Sequence, residues 1–471
     1  MTAQVAAQVT TQATTQGRIR QGCKLVLALM LSGCVAHSPY DRQQVSSELS
    51  TKAGGSLKPQ MDTHFSVPAG VVLSDGLSDD EAVDVALWNN ASLQMSMAQL
   101  GMAQADLTTA GALPNPVLGL LFPGSPAHYE ATLSLPIDLL TRHARVSAAK
   151  EEVERVAAMM VADGMALARE VRIAHAEAIA SEQKYQLLQE QMVVVADLLR
   201  IATVQVETGK IDKQSLATQR AQQAELSVMV AQAEHAVMAA RYRLHELLGL
   251  DVATIALNLT LTPGTLSDMA VAELDVMLHT ALESRPEIKA NEADIERAGY
   301  QDKWERNKLL NLIAELKLVQ TDSGRNTSPG AQMELPLFNQ NQGGRSHASA
   351  ELDRAVQSFV VTQQAIRREV STARASYLAA SQSHTLLKDT VLPALQAELD
   401  LSREANTLGN QSYWQLAQVQ SRYLQAQVRL VDAQLAVQRA HVKLIHSVGQ
   451  PVKRLITETG VQTKPVGVTA P

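Results

Sequence analysis

Hydrophobic and polar positions follow two different periods along this chain, and both periods return in the same order a second time. Stretches with helical periodicity occupy about 78–112 and, again, about 276–309. Shorter runs that alternate with period two come next in each half, and such alternation predicts β-strands with one apolar and one polar face. Ser78, with Glu81 three positions later, predicts the capped start of the first helix. The pattern therefore predicts a mainly helical chain with a small β part.

Four short runs carry the strand pattern. The alternation is clear at 129–137 in the first half, and at 310–318 and 331–335 in the second. The run 117–122 is apolar throughout, so its strand is less distinctly marked. Prolines stand beside these runs, and because proline interrupts helices we expect no helix to pass through them.

A very long helical stretch follows each pair of strands, at about 139–207 and 340–407, with almost no glycine or proline. Roughly 70 residues at 1.5 Å per residue make a helix on the order of 100 Å long. Turns at Gly209 and Gly409 then lead into return helices, because glycine supplies the left-handed conformation that closes a helix. A helix of this length cannot bury its apolar stripe alone, so lateral helical partners are required.

The second half repeats the first at a spacing of about 200 residues, which indicates a duplication. Gly249 falls on Gly449, and a slightly smaller shift places Asn90 on Arg285. The predicted organisation is a signal peptide at 1–33, a lipidated N-terminal extended segment at 34–76, a first repeat at 77–250, a linker at 251–275, a second repeat at 276–450 and a disordered tail at 451–471.

The first 33 residues contain no Asp or Glu and have the pattern of a secretory signal. Basic residues between Arg18 and Lys24 precede the apolar run 25–31, which is too short to span a bilayer as a helix. The run ends in Leu-Ser-Gly-Cys, which resembles the lipobox of bacterial lipoproteins, and in that class Cys34 becomes the lipidated first residue. Val35 after the cysteine favours the outer membrane. The alternative is a cleaved signal in which Cys34 is incidental.

Composition and charge exclude several classes of protein. Of the 471 residues 46% are hydrophobic but only 3% are aromatic, which is too few aromatic side chains for several large compact cores. The formal charge of -7 offers no basic surface to a nucleic-acid backbone, so we expect no nucleic-acid partner. Two cysteines are too few for a disulfide-rich scaffold or a zinc site of four thiolates.

Motifs for catalysis or metal binding do not emerge from the sequence. The twelve histidines are scattered, and His441 and His446 do not share a helix face as metal ligands at i and i+4 do. The sequence contains no HExxH, GxGxxG or GxxxxGK(S/T) motif. Adjacent Met159 and Met160 point to different faces of a helix, which disfavours a methionine relay for copper. We therefore expect no catalytic residues, no cofactor and no metal site, and an enzyme is the least favoured of the alternatives.

Several segments resemble the TolC-like outer-membrane factors. Residues 77–90 are similar to the opening of that family, although Ala91 stands where proline is usual, and 113–116 is similar to the start of its first strand. The run 334–343, Glu-Leu-Pro-Leu-Phe-Asn-Gln-Asn-Gln-Gly, is the most specific match, and 409–418 resembles the tip after the long helix. The chain looks like the lipoprotein branch of the family, which includes the CzcC- and CusC-like proteins.

The resemblance implies a homotrimer of duplicated long-helix hairpins. The helices of three copies would form a trimeric α-barrel in the periplasm, and four strands per protomer would contribute to a 12-stranded β-barrel in the outer membrane. Six polar side chains would then face the lumen: Glu130, Thr132, Glu315, Lys317, Gln332 and Glu334. The alternative for these side chains is a solvated face on a soluble hairpin.

The function that the resemblance implies is that of an outer-membrane channel subunit of a tripartite efflux pump. Such a subunit is a passive export conduit from the periplasm to the exterior and is opened by an adaptor. Its partners would be a periplasmic adaptor (membrane fusion protein), an inner-membrane pump and outer-membrane lipid. The alternative is a periplasmic coiled-coil scaffold lipoprotein that forms no channel.

Two sets of residues carry this function if the resemblance holds. The adaptor-contacting tips would be Thr208, Gly209, Lys210, Leu408, Gly409 and Asn410. The periplasmic gate would include Ser215, Thr218, Trp414, Gln415 and Gln418. Related channels often carry Asp where Gln415 and Gln418 stand, so a ring of glutamine hydrogen bonds would replace an acidic gate. Trp414 would be either a plug or a core residue.

Overall fold

The computed structural model describes residues 36–59, 64–72, 76–122, 127–250, 260–262, 271–308, 312–321 and 324–450. The predicted signal peptide, Cys34, most of the predicted linker and the predicted tail lie outside the described residues. The described chain is mainly helical with one four-stranded sheet, which confirms the predicted fold class. In chain order the elements are α1 (Arg42–Lys52), α2 (Asp79–Asn89), α3 (Ala91–Gly111), β1 (Val117–Leu121), β2 (Ala127–Ile137), α4 (Leu139–Glu207), α5 (Lys213–Leu248), α6 (Leu274–Ser284), α7 (Pro286–Asn307), β3 (Leu312–Thr321), β4 (Gly324–Met333), α8 (Gln342–Leu386), a π-helical turn (Leu387–Val391), α9 (Leu392–Thr407) and α10 (Tyr413–Val448).

The chain divides into two compact units. The unit that contains the sheet, called the sheet unit here, takes its described residues from 36–39, 99–156 and 291–358. The other, called the helix unit, takes them from 40–98, 157–290 and 359–450.

The sheet is antiparallel throughout, in the order β1-β2-β3-β4. Because successive side chains of a strand point to opposite faces, the register sorts the residues of the sheet into two sets. One face carries Glu130, Thr132 and Ser134 of β2 beside Glu315 and Lys317 of β3. The opposite face carries Leu118, Leu120, Leu133, Leu135, Leu316 and Leu318.

The bounds of β4 differ from the prediction. The strand was expected at 331–335 but runs from Gly324 to Met333, so Glu334 lies beyond it. Pro329 stands inside β4, opposite Leu316. Among the described strands β4 pairs only with β3, so the missing N–H of Pro329 breaks no second ladder within this sheet.

Four long helices pack side by side in the helix unit. Lys184 of α4 pairs with Asp432 of α10 at 3.0 Å, so α4 and α10 lie against each other. On its other side, α4 pairs with α5 through Glu182 and Arg241 at 3.0 Å. Contacts between α9 and α10 complete the order α5, α4, α10, α9. The lateral partners that the sequence requires are thus supplied in part by the chain itself.

The second long helical stretch is not continuous, whereas α4 runs unbroken as predicted. Between α8 and α9 the N–H of Leu392 donates to the carbonyl of Leu387, one residue further back than in an α-helix. Pro393, in the first turn of α9, explains the interruption, because it has no N–H and its ring clashes with the preceding turn. The prediction of one helix over 340–407 overlooked this proline.

The duplication is visible where the return helices end. Asn90 follows α2 and donates to the carbonyl of Leu247 near the end of α5 at 3.1 Å. Arg285 follows α6 and donates to the carbonyl of His446 near the end of α10 at 3.0 Å. The two positions that the sequence alignment superposes therefore perform the same task, since each binds the exposed carbonyls of a helix terminus.

Candidate functional site

The two helix hairpins of the helix unit end in turns of the same geometry. The N–H of Lys210 closes the first with a 2.8 Å bond to a carbonyl of α4, and that of Asn410 closes the second with a 2.9 Å bond to a carbonyl of α9. Gly209 and Gly409 have φ angles of 70° and 75°, in the left-handed region that favours glycine. A Cβ on either glycine would meet nothing within 4 Å, so both turns face open space.

The predicted adaptor-contacting residues all lie on these two turns. Thr208, Gly209, Lys210, Leu408, Gly409 and Asn410 are exposed. Three of them form the first turn and three form the second, so each turn presents one small contiguous surface. Contact with an adaptor stays a prediction.

Three of the five predicted gate residues form hydrogen bonds within or at the start of their own helices. Ser215 donates through its N–H and its hydroxyl to the carboxylate of Asp212, at 2.9 and 2.5 Å. Gln415 forms a capping box with Ser412, whose N–H donates to the glutamine side chain at 3.2 Å. The hydroxyl of Thr218 donates to a carbonyl of its own helix at 3.1 Å. These local bonds were not expected from the sequence.

Trp414 and Gln418 differ in burial. Trp414 is half-buried and packs against the cluster formed by Val194, Leu198, Ala417 and Leu424. This packing favours the core alternative for the tryptophan. Gln418 is exposed and, unlike the exposed Thr218 and Gln415, forms no hydrogen bond with a described residue.

The polar face of the sheet carries one neutralised and one isolated carboxylate. Lys317 lies 2.8 Å from the carboxylate of Glu130, so these opposite charges compensate each other. Glu315 forms no ion pair with any described residue. Across the sheet it is flanked by Ser134 and Gly330, two small residues that leave its side chain accessible.

The junction between β4 and α8 exposes large apolar side chains. Leu335 is 64%, Leu337 72% and Phe338 97% exposed. Leu118 and Leu120 of β1 are exposed as well, on the apolar face of the sheet. Exposed apolar groups in such number mark a surface that meets another protein or a membrane.

The most specific sequence motif builds this same junction. Asn341 has a φ of 55°, and its amide donates to the carbonyl of Glu305 at 2.9 Å and to its carboxylate at 2.6 Å. A Cβ on Gly344 would stand 2.4 Å from the Asn341 amide oxygen, so glycine is required there. The Asn-Gln-Gly-Gly run thus ties the start of α8 to the end of α7.

The first described residues also pack in the sheet unit. Ala36 lies against Gly111 at the end of α3, where a Cβ on the glycine would stand 2.7 Å from the Ala36 Cβ. Ser38 is buried. The chain just after Cys34 is therefore held in the unit that contains the sheet.

A charged cluster around the buried Arg285 holds the end of α10, and only the alignment of Arg285 with Asn90 pointed to it in the sequence. Arg285 contacts Glu287 at 2.6 Å and Glu369 at 3.3 Å. Although burial opposes it, the hydrogen bond and charge of Arg285 keep the pKa of Glu287 below its usual value. Burial, aided by Arg169 and Arg285, lowers the pKa of His446 to about 3.

None of the helices in the described parts of the chain has an apolar stretch long enough to cross a bilayer. Nor do those parts of the chain bring together three or more His, Cys, Asp or Glu side chains in a group that could hold a metal ion.

Three comparisons relate the chain to known proteins. Residues 277–450 match the family described as outer membrane efflux protein. The cobalt-zinc-cadmium resistance protein CzcC of Cupriavidus metallidurans is 23% identical over 360 residues, which are 75% of this chain and 85% of that protein.

Among solved structures, the outer membrane protein VceC of Vibrio cholerae superposes with a TM-score of 0.66 at 18% identity, over 79% of this chain and 96% of that one. The outer membrane channel CmeC of Campylobacter jejuni superposes with a TM-score of 0.65 at 17% identity, over 87% and 94%. At these identities the likeness concerns the fold, and the fold is that of outer-membrane channels. Residues 277–450 are thus similar to the outer membrane efflux protein family, most of the chain is similar to CzcC, and its fold is like that of solved outer-membrane channels.

Proposed function

We propose that this chain is the outer-membrane channel subunit of a tripartite efflux pump, and that it works as a homotrimer. The observation that carries the proposal is the sheet. Its edge strands β1 and β4 have no second partner among the described residues, and one of its faces is apolar while the other is polar. Open strand edges and a bare apolar face are unstable in isolation. Pairing with other copies would supply hydrogen-bond partners to the edges, and lipid would cover the apolar face.

The helix unit supports the same assembly. Of its four packed helices, α5 and α9 lie at the two sides of the layer, and each has only one neighbour in it. Exposed apolar side chains occur on both: Val228 and Met238 on α5, and Leu401 on α9. Two further copies would cover these positions, as the long apolar stripes require.

The lipid anchor is part of the proposal. Ala36, two residues after Cys34, packs in the sheet unit, and the exposed Leu337 and Phe338 belong to the same unit. An acylated Cys34 would then lie in the same unit as the side chains best suited to a lipid interface. A single acyl chain binds membranes weakly, so the anchor and the apolar sheet would act together.

The turns at Gly209 and Gly409 are the proposed docking site for a periplasmic adaptor. A photo-crosslinking residue at Lys210 or Asn410 is expected to capture the adaptor in intact cells. The control is the same residue at Gln189, which is exposed on α4 but lies about 30 Å further along the helix. Equal capture at Gln189 would contradict docking at the turns.

The gate proposal rests on Gln418, because its exposed side chain is free to meet its symmetry mates. Gln418→Ala is expected to raise single-channel conductance, and the addition of Gln415→Ala should raise it further. Ser412→Ala separates the loss of the helix cap from the loss of the Gln418 side chain, since it removes the capping box of Gln415 and leaves Gln418 in place. Unchanged conductance in all three variants would remove these residues as the constriction.

The experiment that tests the channel itself is reconstitution of the purified, lipidated chain in planar bilayers. A trimer that gives discrete conductance steps supports the proposal. A trimer or monomer that gives none, although it folds, would favour the scaffold alternative. The name of the Cupriavidus relative makes cobalt, zinc and cadmium the first cargoes to test, by metal sensitivity of a deletion strain.

A further inference from the structure

The charges on the polar face of the sheet do not sum to zero. Of the Asp, Glu, Lys and Arg residues in the four strands, three lie on this face: Glu130, Glu315 and Lys317. Glu130 and Lys317 are paired at 2.8 Å, and an ion pair contributes little to the field at a distance. One uncompensated negative charge therefore remains in each copy, at Glu315.

The surroundings of Glu315 leave its carboxylate accessible to water. Directly across the ladders stand Ser134 on β2 and Gly330 on β4. A Cβ added to Gly330 would come no closer than 3.9 Å to the Cβ of Glu315, so this side of the sheet is open. Lys317, two residues along the same strand, is engaged by Glu130 and does not neutralise it.

The predicted gate positions in the helix unit carry no charge comparable to that of Glu315. Ser215, Thr218, Gln415 and Gln418 are all uncharged. If a constriction forms there, it selects by size and hydrogen bonding rather than by charge. Among the described residues of the gate set and of the polar face of the sheet, Glu315 is then the unpaired charge.

We propose that Glu315 sets the ion preference of the channel, so that the sheet favours cations over anions. The inference rests on the proposed trimer, in which three copies of Glu315 lie at one level around the axis. Rings of carboxylates attract cations and repel anions across a water-filled pore. Positively charged solutes, hydrated metal ions among them, are the cargo class that such a ring favours.

The test is the reversal potential of reconstituted channels in a gradient of potassium chloride. Wild type is expected to prefer potassium, and Glu315→Gln should reduce the potassium-to-chloride permeability ratio by about threefold or more, since charged rings dominate such preference. Glu315→Lys should invert the preference. Both variants are expected to fold, because the side chain is partly exposed and without an ion pair among the described residues.

The matched control is the double variant Glu130→Gln with Lys317→Gln, which removes a neutral pair from the same face. Its permeability ratio should equal that of wild type. Channels whose ratio is the same in wild type, Glu315→Gln and Glu315→Lys would overturn the inference and leave the channel function intact. A chain that conducts nothing would instead overturn the proposed function, and the inference with it.

Discussion

Leu49 of α1 lies directly over Gly164 of α4: a Cβ placed on the glycine would stand 2.5 Å from the Leu49 Cδ2. Leu49 is completely buried in this position. Because Gly164 has no side chain, Leu49 packs closely against α4, and this contact joins α1 to the longest of the described helices.

Gly164→Ala is expected to loosen α1. The added methyl group cannot fit without a shift of Leu49, and such overpacking costs about 1–3 kcal/mol. Trypsin should then cleave faster after Arg42 and Lys52, the basic residues at the two ends of α1. Gly299→Ala in α7 is the control, because its Cβ would meet nothing within 4 Å. It should leave the cleavage rate unchanged and, by helix propensity, raise stability by up to about 1 kcal/mol.

Arg285→Ala is expected to be the more damaging of two equivalent substitutions. It removes the ion pairs of the buried Arg285 with Glu287 and Glu369 and frees two carbonyls at the end of α10, which should cost about 3–5 kcal/mol. Asn90→Ala, at the matching joint of the first repeat, removes one neutral hydrogen bond, worth about 1 kcal/mol. Urea titration in detergent measures both. An equal loss of unfolding free energy in the two variants would contradict the larger contribution assigned to Arg285.

Acid is expected to destabilise the folded chain through His446. Its pKa is about 3 when folded, below the ordinary 6.5, so between these values the unfolded chain binds a proton that the folded chain does not. Stability therefore decreases as pH falls below 6.5, by at most about 1.4 kcal/mol per pH unit for this group.

His446→Gln should flatten this pH dependence, while His347→Gln, at an exposed position, should not. Below about pH 4.5 both variants should still lose stability, because Glu287 has a lowered pKa and its contribution is lost as it becomes protonated. Thermal midpoints measured between pH 4.5 and 7.5 test this. An identical slope in wild type and His446→Gln would refute it.

Phe338→Trp is expected to report a lipid environment. The side chain is 97% exposed in the isolated chain, so the substitution should not change stability. In vesicles that contain brominated lipid, the added tryptophan should be quenched if the junction lies at the interface, where aromatic side chains concentrate. Leu408→Trp, at an exposed turn of the helix unit, should give no quenching. Equal emission from the two variants would argue against membrane contact at Phe338.

In the sheet, the alternation of polar and apolar residues correctly predicted which face a side chain lies on, but it predicted the ends of the strands poorly. The period of two over 129–137 places Glu130 and Thr132 on one face, and the register confirms it. The strand β4 was missed over most of its length because Arg325, Asn326, Thr327 and Ser328 have no apolar alternation. Backbone pairing with β3 makes them a strand, and backbone hydrogen bonds leave no trace in the alternation of side chains.

In the candidate site, too, local features could be predicted from the sequence and contacts between helices could not. Glycine marks both helix turns because only a left-handed residue closes them, so Gly209 and Gly409 were predictable. The capping role of Gln415 could also be predicted locally, since Ser412 precedes it by three residues, the spacing of a capping box. The packing of Trp414 against Val194 and Leu198 was beyond prediction, because those residues come from another helix.

Local chemistry in the sequence determined the helical periods, the alternating strands and the glycine turns, because each of these depends on residues a few positions apart, and the repetition of these signals revealed the two similar halves. The tertiary structure alone decided which helices lie side by side, that Arg285 is buried against Glu287 and Glu369, and that Lys317 neutralises Glu130 while Glu315 stays unpaired. Apart from Arg285 with Glu287, those contacts join distant segments, and the energies of all of them depend on distance and burial, which exist only once the chain has folded.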